Sequence, residues 1–190
     1  MIRSFDDKET ERIWNGRRSR QFPVDIQTRA LNRMRLLNRA KSLDDLRNPP
    51  SNRLHALTGE RAGQHSVPLT CNGVYVSSGR TELPSMSKSS TTTNPDWLHN
   101  PHAGELLVSE FMEPLGLTAA TLAEALQIDQ ARLRDVIEGA VPMEAELDLR
   151  LARYFRISEG FFLGLQDDYE LLEAKRALNG SLDRIRPRAA

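Results

Sequence analysis

Five polar side chains in the C-terminal half of the chain have the types that contact nucleic acid. Gln130, Arg132 and Arg134 lie in "DQARLRDVIEG", and Thr118 and Thr121 lie in "LTAATLAEALQI" just before it. Gln can form two hydrogen bonds with adenine, Arg can bond guanine or phosphate, and a threonine hydroxyl can reach a phosphate oxygen. The same side chains are common on solvated helix surfaces, so their meaning depends on the elements that hold them.

The apolar spacing of these two segments predicts a pair of short helices joined by the turn "QID". The residues expected to form the buried faces are Leu122, Ala123, Leu126, Leu133, Val136 and Ile137. Thr118 has the type and place of an N-cap, and Gly139 those of a C-terminal cap. The pair has the pattern of a helix-turn-helix, although periodicity alone also fits a generic pair of packed helices.

The flanking segments predict further helices. In "HAGELLVSEFMEPLGL" the helical spacing places these residues on one face: Leu106, Leu107, Phe111, Met112 and Leu115. The later segments are expected to supply more of the core: Leu147, Leu149, Leu151, Ala152, Phe155, Phe161 and Phe162. An aromatic cluster at helical spacing is more often core than a cofactor site. A last helix is expected to end near Gly180, with residues 181–190 as a flexible polar tail.

The C-terminal half resembles the HigA family of antitoxins, within the Xre/Cro-like repressors, from about Asn100 to Leu172. The resemblance rests on an ordered set of motifs: "EPLGLT", "LAEAL", "LRLAR" and "GFFLGLQ". It implies a lambda-repressor-like domain of five helices over residues 95–180, and a homodimer, because one recognition helix covers half of a palindromic operator.

The resemblance implies roles for the five polar residues. Gln130, Arg132 and Arg134 would begin a recognition helix in the major groove, and Thr118 and Thr121 would contact phosphate. The chain departs from the family pattern at Ala119, Ala140 and Val141, where a Gln and basic residues are usual. Since phosphate neutralisation supplies most non-specific affinity, weak DNA binding is expected, or binding that needs a dimer or a bound toxin.

Charge divides the chain into two unlike halves. Residues 1–94 carry 16 Lys and Arg against 9 Asp and Glu, whereas residues 95–190 carry 10 against 17. This asymmetry predicts two domains that could attract each other. The single cysteine, Cys71, excludes an internal disulfide and a cysteine-based zinc site, and no segment has the length and apolarity of a membrane span. We therefore expect a cytoplasmic protein with no cofactor, no small-molecule substrate and no membrane partner.

The N-terminal half predicts two helices followed by short strands near "RLHALTGERAGQHSV". Residues 1–67 resemble the HigB toxins, RelE-like mRNA endonucleases, through motifs such as "MIRSF", "LNRMRLLNRA" and "GQHSV". Through that resemblance His55 matches a catalytic histidine and Arg61 lies in the basic cleft motif; without it, His55 is only a polar residue on a strand. After Ser66 the resemblance stops, before the family's last strands and its terminal Asp-Tyr-His.

Residues 68–94 include "CNGVYVSSGRTELPSMSKSSTTTN", which is typical of a linker. If the gene is read in the frame that starts at the third base of each codon, the codons of this stretch can encode the missing strands, a Thr-Asp-Gly turn and the terminal Asp-Tyr-His. A stop codon can then follow. We therefore interpret residues 68–94 as an out-of-frame, flexible linker. One missing base near the codon for Pro68 would have fused a truncated toxin to a downstream antitoxin.

The sequence thus predicts a mainly α protein whose helix-turn-helix domain follows an incomplete α+β RelE-like segment. The leading hypothesis is a type II antitoxin that represses its own operon, neutralises a HigB-type endonuclease and is not an enzyme, because His55 and Arg61 lack their catalytic partners. The truncated segment is expected to be marginal or partly molten, because its helices would expose an apolar face without the missing strands, and it could dock on the acidic half. Two alternatives are a ribosome-dependent ribonuclease fused to its inhibitor, and a toxin-sequestering module that does not bind DNA.

Overall fold

The computed structural model describes residues 2, 4, 5, 7–63, 65–68, 75–77, 80–82, 96–178, 180–186 and 188, and these are mainly helical. No single helix among them is long and apolar enough to cross a membrane. One bent pair of helices, Ala103–Leu115 with Ala119–Leu126, meets that criterion by length and composition alone.

The N-terminal half opens with three helices, α1 (Lys8–Trp14), α2 (Val24–Arg39) and α3 (Leu43–Arg47). The Asp7 carboxylate caps α1 by accepting a hydrogen bond from the Thr10 N–H at 2.8 Å. Ile13 of α1 packs on α2 in a small core to which the C-terminal half contributes Leu98. Two 3₁₀ turns, Pro50–Asn52 and Gly59–Arg61, follow.

Four short strands form one antiparallel sheet in the order β1-β2-β3-β4. Their bounds are His55–Ala56, His65–Pro68, Tyr75–Ser77 and Arg80–Glu82. In this sheet Ser66 pairs with both His55 and Ser77. Strands β3 and β4 and the last residue of β2 thus lie inside the segment 68–94 that was expected to be a linker. Its other residues lie outside the described part, so its flexibility and its origin stay predictions.

The C-terminal half contains helices α4 (Ala103–Leu115), α5 (Ala119–Leu126), α6 (Gln130–Ile137), α7 (Ala145–Phe155) and α8 (Phe161–Leu178). The middle of α4, Val108–Met112, is a π-helical turn. A 3₁₀ turn at Ser181–Arg184 lies in the tail that was expected to be flexible.

The predicted core is largely confirmed, with two exceptions. Phe111 contacts Phe155, Phe161 and Phe162 at ring-centroid distances of 4.9, 6.2 and 5.1 Å, so the aromatic residues do form the core. Leu149 is instead 49% exposed and Leu115 is 49% exposed. Successive helical residues turn by about 100°, so Leu149 points away from the face that holds Leu147 and Leu151.

The two halves pack against each other through an apolar contact and ion pairs. Leu36 of α2 is fully buried in the same cluster as Leu106 and Phe111 of the C-terminal half. The Arg39 guanidinium donates two hydrogen bonds to the Asp168 carboxylate, at 2.9 and 2.7 Å. The predicted docking of the basic half on the acidic half is therefore present in the structure.

Arg35 of α2 is the most buried cation at this contact, with 2% of its surface exposed. Its guanidinium donates to the Pro101 carbonyl at 3.1 Å and to the Asn100 amide oxygen. Burial lowers the pKa of Arg35 to about 10, while the charge of nearby Asp168 acts to raise it. Arg35 therefore stays charged at neutral pH and fixes α2 to the chain that enters α4.

The turn between α7 and α8 is held from both halves. Asp148 of α7 accepts hydrogen bonds from the N–H groups of Gly160, Phe162 and Leu163 at 2.6, 2.8 and 3.0 Å, which satisfies the first turn of α8. From the N-terminal half, Asp45 accepts from the Ser158 N–H at 2.6 Å. This turn therefore joins α8, α7 and α3.

One ion pair at the start of α4 should make stability depend on pH. His99 Nε2 lies 2.7 Å from a carboxylate oxygen of Glu105, and this hydrogen bond raises the pKa of His99. When the pKa is higher in the folded state than in the unfolded state, the protonated histidine stabilises the fold. This stabilisation is complete at a pH below the unfolded pKa of about 6.5, and it is lost as the pH rises through the folded pKa. We therefore expect a small fall in Tm between about pH 6 and about pH 8, and a flatter profile in His99→Gln. His55→Gln is the control, and an equally steep profile in His99→Gln would contradict this role.

Candidate nucleic-acid interface

The first helix of the predicted pair begins with a capping box. The Thr118 hydroxyl accepts from the Thr121 N–H at 3.2 Å, and the Thr121 hydroxyl accepts from the Thr118 N–H at 3.0 Å. The Thr121 hydroxyl also lies 3.0 Å from the Thr118 carbonyl, to which it donates. Both side chains are exposed, but their hydroxyls already serve the helix end, so a phosphate would compete with these local bonds.

The turn into α6 is fixed by backbone geometry and a second cap. Gln127 adopts the left-handed conformation at φ 55°, and the Ile128 N–H donates to the Ala123 carbonyl at 3.0 Å. Asp129 then caps α6 by accepting from the Ala131 N–H at 3.1 Å. This places Gln130 at the first position of α6.

Helix α6 is held from behind by a close backbone contact with α4. Leu133 and Val136 are buried in the main core. Behind them lies Gly104, where an added Cβ would be 2.0 Å from the Val136 carbonyl oxygen and 2.9 Å from the Ile137 Cα. Only glycine permits this approach, so α6 has a fixed position on the domain.

Two of the predicted contact residues stand on the outer side of α6. Gln130 and Arg134 are both exposed. Within the part of the chain that the structure describes, neither side chain forms a hydrogen bond or an ion pair. They lie four positions apart, one above the other on a single face. The structure therefore leaves an amide and a guanidinium on this face available to a groove.

Arg132 has a different environment from Arg134. Its guanidinium donates to Glu144 at 2.7 Å and to Glu146 at 3.0 Å. These hydrogen bonds raise the pKa of Arg132, and the bonds from Arg132 and Arg150 lower the pKa of Glu146. Arg132 can therefore reach DNA only by leaving two carboxylates, which we call the acidic pair.

Neutralising the acidic pair should strengthen DNA binding. Glu144→Gln with Glu146→Gln releases Arg132 and removes two negative charges beside α6, so we expect affinity for operator DNA to rise on the order of tenfold at low salt. Fluorescence anisotropy of a labelled duplex measures the change. The control replaces two other exposed acids, Asp25→Asn with Asp183→Asn, at equal net charge. Equal affinities for the two double variants would contradict a local role.

Sequence reasoning did not identify Glu144, Glu146 or Gly104 as important to this surface. The two carboxylates follow α6 closely in "VPMEAELDLR" and could have been found as acids near a basic helix. Gly104 gave no such signal. A glycine in an otherwise helical pattern only weakens the helix prediction, and its packing role becomes visible once its spatial neighbours are known.

The residues matched to the toxin family lie elsewhere. His55 is exposed and begins β1, and Arg61 ends the 3₁₀ turn Gly59–Arg61. Neither belongs to the surface formed by α5 and α6. Among the described residues, no group of three or more His, Cys, Asp or Glu side chains is placed to hold a metal ion.

Comparison with known proteins identifies regulators of transcription among the relatives. This chain is 35% identical over 75 residues to virulence-associated protein I of Dichelobacter nodosus, and the match covers 40% of this chain and 69% of that protein. It is 30% identical over 86 residues to an HTH-type transcriptional regulator of Haemophilus influenzae, covering 44% of this chain and 80% of that protein. Antitoxin HigA-1 of Vibrio cholerae is 29% identical over 84 residues, 44% of this chain and 79% of that protein.

Among solved structures, Pseudomonas aeruginosa antitoxin HigA with the higBA promoter is 30% identical, covers 48% of this chain and 100% of that one, and gives a TM-score of 0.44. PA4674 of the same organism, in complex with its 18 bp operator DNA, is 31% identical. The match covers 48% of this chain and 98% of that one, with a TM-score of 0.46. No family model matches the chain.

Proposed function

Because the chain belongs to the family of HTH-type transcriptional regulators, we propose that it is a sequence-specific repressor of its own operon and the antitoxin of a HigB-type mRNA endonuclease. The observation that carries the proposal is the face of α6 with exposed Gln130 and Arg134, on a helix that Gly104 fixes to the domain. Family and geometry support DNA binding, and the likeness to antitoxin HigA-1 supports the antitoxin role.

In the proposed complex, α6 lies in the major groove. Gln130 at its N-terminus would read an adenine edge, and Arg134 a guanine or a phosphate. Thr118 and Thr121 begin the preceding helix, which crosses the backbone in this docking mode. Arg132 joins the contact once a phosphate replaces the acidic pair. A homodimer would place two such helices on a palindromic operator.

A titration of a duplex from the region upstream of its own gene tests this function. The full chain should bind it more tightly than a scrambled duplex of equal length, and the logarithm of the binding constant should fall linearly with the logarithm of salt concentration. Equal affinity for both duplexes at every salt concentration would refute sequence-specific repression. Growth rescue by the chain when a HigB-type toxin is co-expressed tests the antitoxin role separately.

A second candidate function is toxin sequestration without DNA binding. It is favoured by the acidic pair on Arg132 and by Ala140 and Val141, which are exposed just after α6 where family members carry basic residues. Under this alternative the chain would rescue growth and bind no duplex. The ribonuclease alternative, by contrast, requires growth arrest on expression of the chain alone.

For residues 1–67 we propose a truncated toxin segment that is catalytically inactive, joined through the out-of-frame stretch 68–94. In support of this, the strands His55–Ala56 and His65–Pro68 follow the three helices and pair antiparallel, as the resemblance to RelE-like toxins implies. The strands Tyr75–Ser77 and Arg80–Glu82 lie in the out-of-frame stretch and give no such support. The nucleotide sequence of the locus tests this. Codons that cannot encode the terminal Asp-Tyr-His in the shifted frame would exclude a frameshift.

A further inference from the structure

A groove with a volume of about 760 Å³ lies where α1 meets α8, apart from the surface of α5 and α6. This is the size range of pockets that hold small molecules. It is lined by six basic and three acidic side chains, together with Trp14, Trp97, Leu171 and Leu172. The six basic residues are Lys8, Arg12, Arg17, Arg35, Lys175 and Arg176. The groove therefore combines positive charge with aromatic and apolar walls.

The groove is built on a rigid frame. The Arg18 N–H donates to the Asp96 carbonyl at 2.7 Å and the Leu98 N–H to the Gly16 carbonyl at 2.9 Å, which ties residues 16–18 to residues 96–98. Arg176 of α8 donates to the carbonyls of Gly16 at 3.1 Å and Leu98 at 2.8 Å. These bonds join α1, the Trp97 segment and α8, and so fix the walls of the groove relative to one another.

Both tryptophans are placed for contact with a planar ring. Trp14 and Trp97 are half-buried and both line the groove. The guanidinium carbon of Arg176 lies 4.9 Å from the centroid of the Trp97 ring, a cation–π arrangement that holds this indole in place. Nucleobases stack on aromatic side chains with little dependence on base identity.

Five of the six cations of the groove fall into two sets, and the sixth, Arg12, donates to the Arg18 carbonyl at 3.3 Å. Arg35 and Arg176 are buried or half-buried and engaged with protein oxygens, and the Arg176 charge adds to the effect of burial in lowering the pKa of Arg35. Lys8, Arg17 and Lys175 are exposed, and within the described residues their side chains have no hydrogen bond or ion pair. Arg176 also pairs with Glu173 at 2.7 Å, and the charges of Asp168 and Glu173 act on Arg35, so the first set holds the groove wall in place and is already partly neutralised. The second set supplies free donors.

From this combination we propose that the groove binds a nucleoside phosphate, either free or as the end of a single strand. The base packs against Trp14 and Trp97, and the phosphate is bound by the exposed cations Arg17 and Lys175. A free phosphate would leave the indoles unused, and an uncharged ring would leave the cations unused. The proposed function assigns no ligand to this groove.

Tryptophan fluorescence reads this site directly, because the chain has 2 Trp residues and both line the groove. Full-length protein is titrated with adenosine diphosphate, adenosine, inorganic phosphate and a single-stranded oligothymidylate of about eight nucleotides. Adenosine diphosphate or the oligonucleotide is expected to change the emission saturably, and inorganic phosphate to compete. If adenosine diphosphate binds more tightly, the ligand is a free nucleotide; if the oligonucleotide binds more tightly, the ligand is the end of a strand. Both results support the proposal.

The matched variants are Arg17→Gln with Lys175→Gln in the groove and Arg29→Gln with Arg153→Gln on exposed surface elsewhere. The groove variant should weaken binding by about tenfold or more, the size expected for lost charge-assisted hydrogen bonds, and the control should bind as the parent does. No saturable change with any probe, an equal response to adenosine, or equal binding by both variants would overturn the proposal. Operator titration of the same proteins reports on α5 and α6 independently, so failure of one function is distinguishable from failure of the other.

Discussion

Gly104→Ala is expected to lower the free energy of unfolding by about 3 kcal/mol. The new methyl carbon would lie 2.0 Å from the Val136 carbonyl oxygen, and this atom belongs to the backbone of α6. The helices must separate to admit it, which disturbs Leu133 and Val136 in the core. The direction is informative, because the same substitution at an exposed helix position would stabilise the helix by about 1 kcal/mol.

Gly164→Ala in α8 is the matched comparison for Gly104. Its added Cβ would meet the Arg39 side chain at 2.6 Å, and a flexible side chain can move aside where a backbone carbonyl cannot. We expect a smaller loss, limited to the pair between Arg39 and Asp168. Denaturant unfolding followed by circular dichroism gives both values. Gly104→Ala with a stability equal to or above the parent would contradict the close packing of α4 on α6.

The second large effect is expected for Leu36→Ala, at about 2 to 5 kcal/mol. Leu36 belongs to α2 of the N-terminal half, yet it is 0% exposed and lies in the core of the C-terminal half. Its removal leaves a cavity between the halves rather than inside one of them. The loss should therefore destabilise the regulator domain as well as the segment that precedes it.

Two signals followed in one denaturant titration measure this coupling. Tryptophan emission reports Trp14 and Trp97, and circular dichroism reports all helices. We expect the two curves to coincide in the parent and to shift together in Leu36→Ala, whereas Leu43→Ala, at a position that is 45% exposed, should change little. Separate transitions in the parent would contradict a shared core.

The helices of the C-terminal half could be predicted because local rules determine them. Leu106, Phe111, Leu122 and Leu133 recur at helical spacing, and Thr118 has the side chain that an N-cap needs. These signals depend on residues within four positions of each other. The place of Gln130 at the start of the second helix follows from the same local pattern.

Other features depend on contacts between distant residues. The pairing of Arg132 with Glu144 and Glu146 needs the start of α7 beside α6, and the burial of Leu36 needs α2 across the C-terminal core. Leu149 was expected in the core together with Leu147 and Leu151, but helical rotation turns its side chain to solvent. The amino-acid composition predicts neither the strands Tyr75–Ser77 and Arg80–Glu82 nor the groove between α1 and α8.

The most direct test of the central claim compares operator binding by the parent and by Gln130→Ala with Arg134→Ala. The control is Arg29→Ala with Arg153→Ala, which removes two exposed cations that lie outside α5 and α6. If α6 reads the operator, the first double variant loses about tenfold or more in affinity and loses its preference over a scrambled duplex. The control loses little of either. Retention of full affinity and preference by the Gln130 and Arg134 variant would show that another surface binds the DNA, or that the helix-turn-helix does not read it.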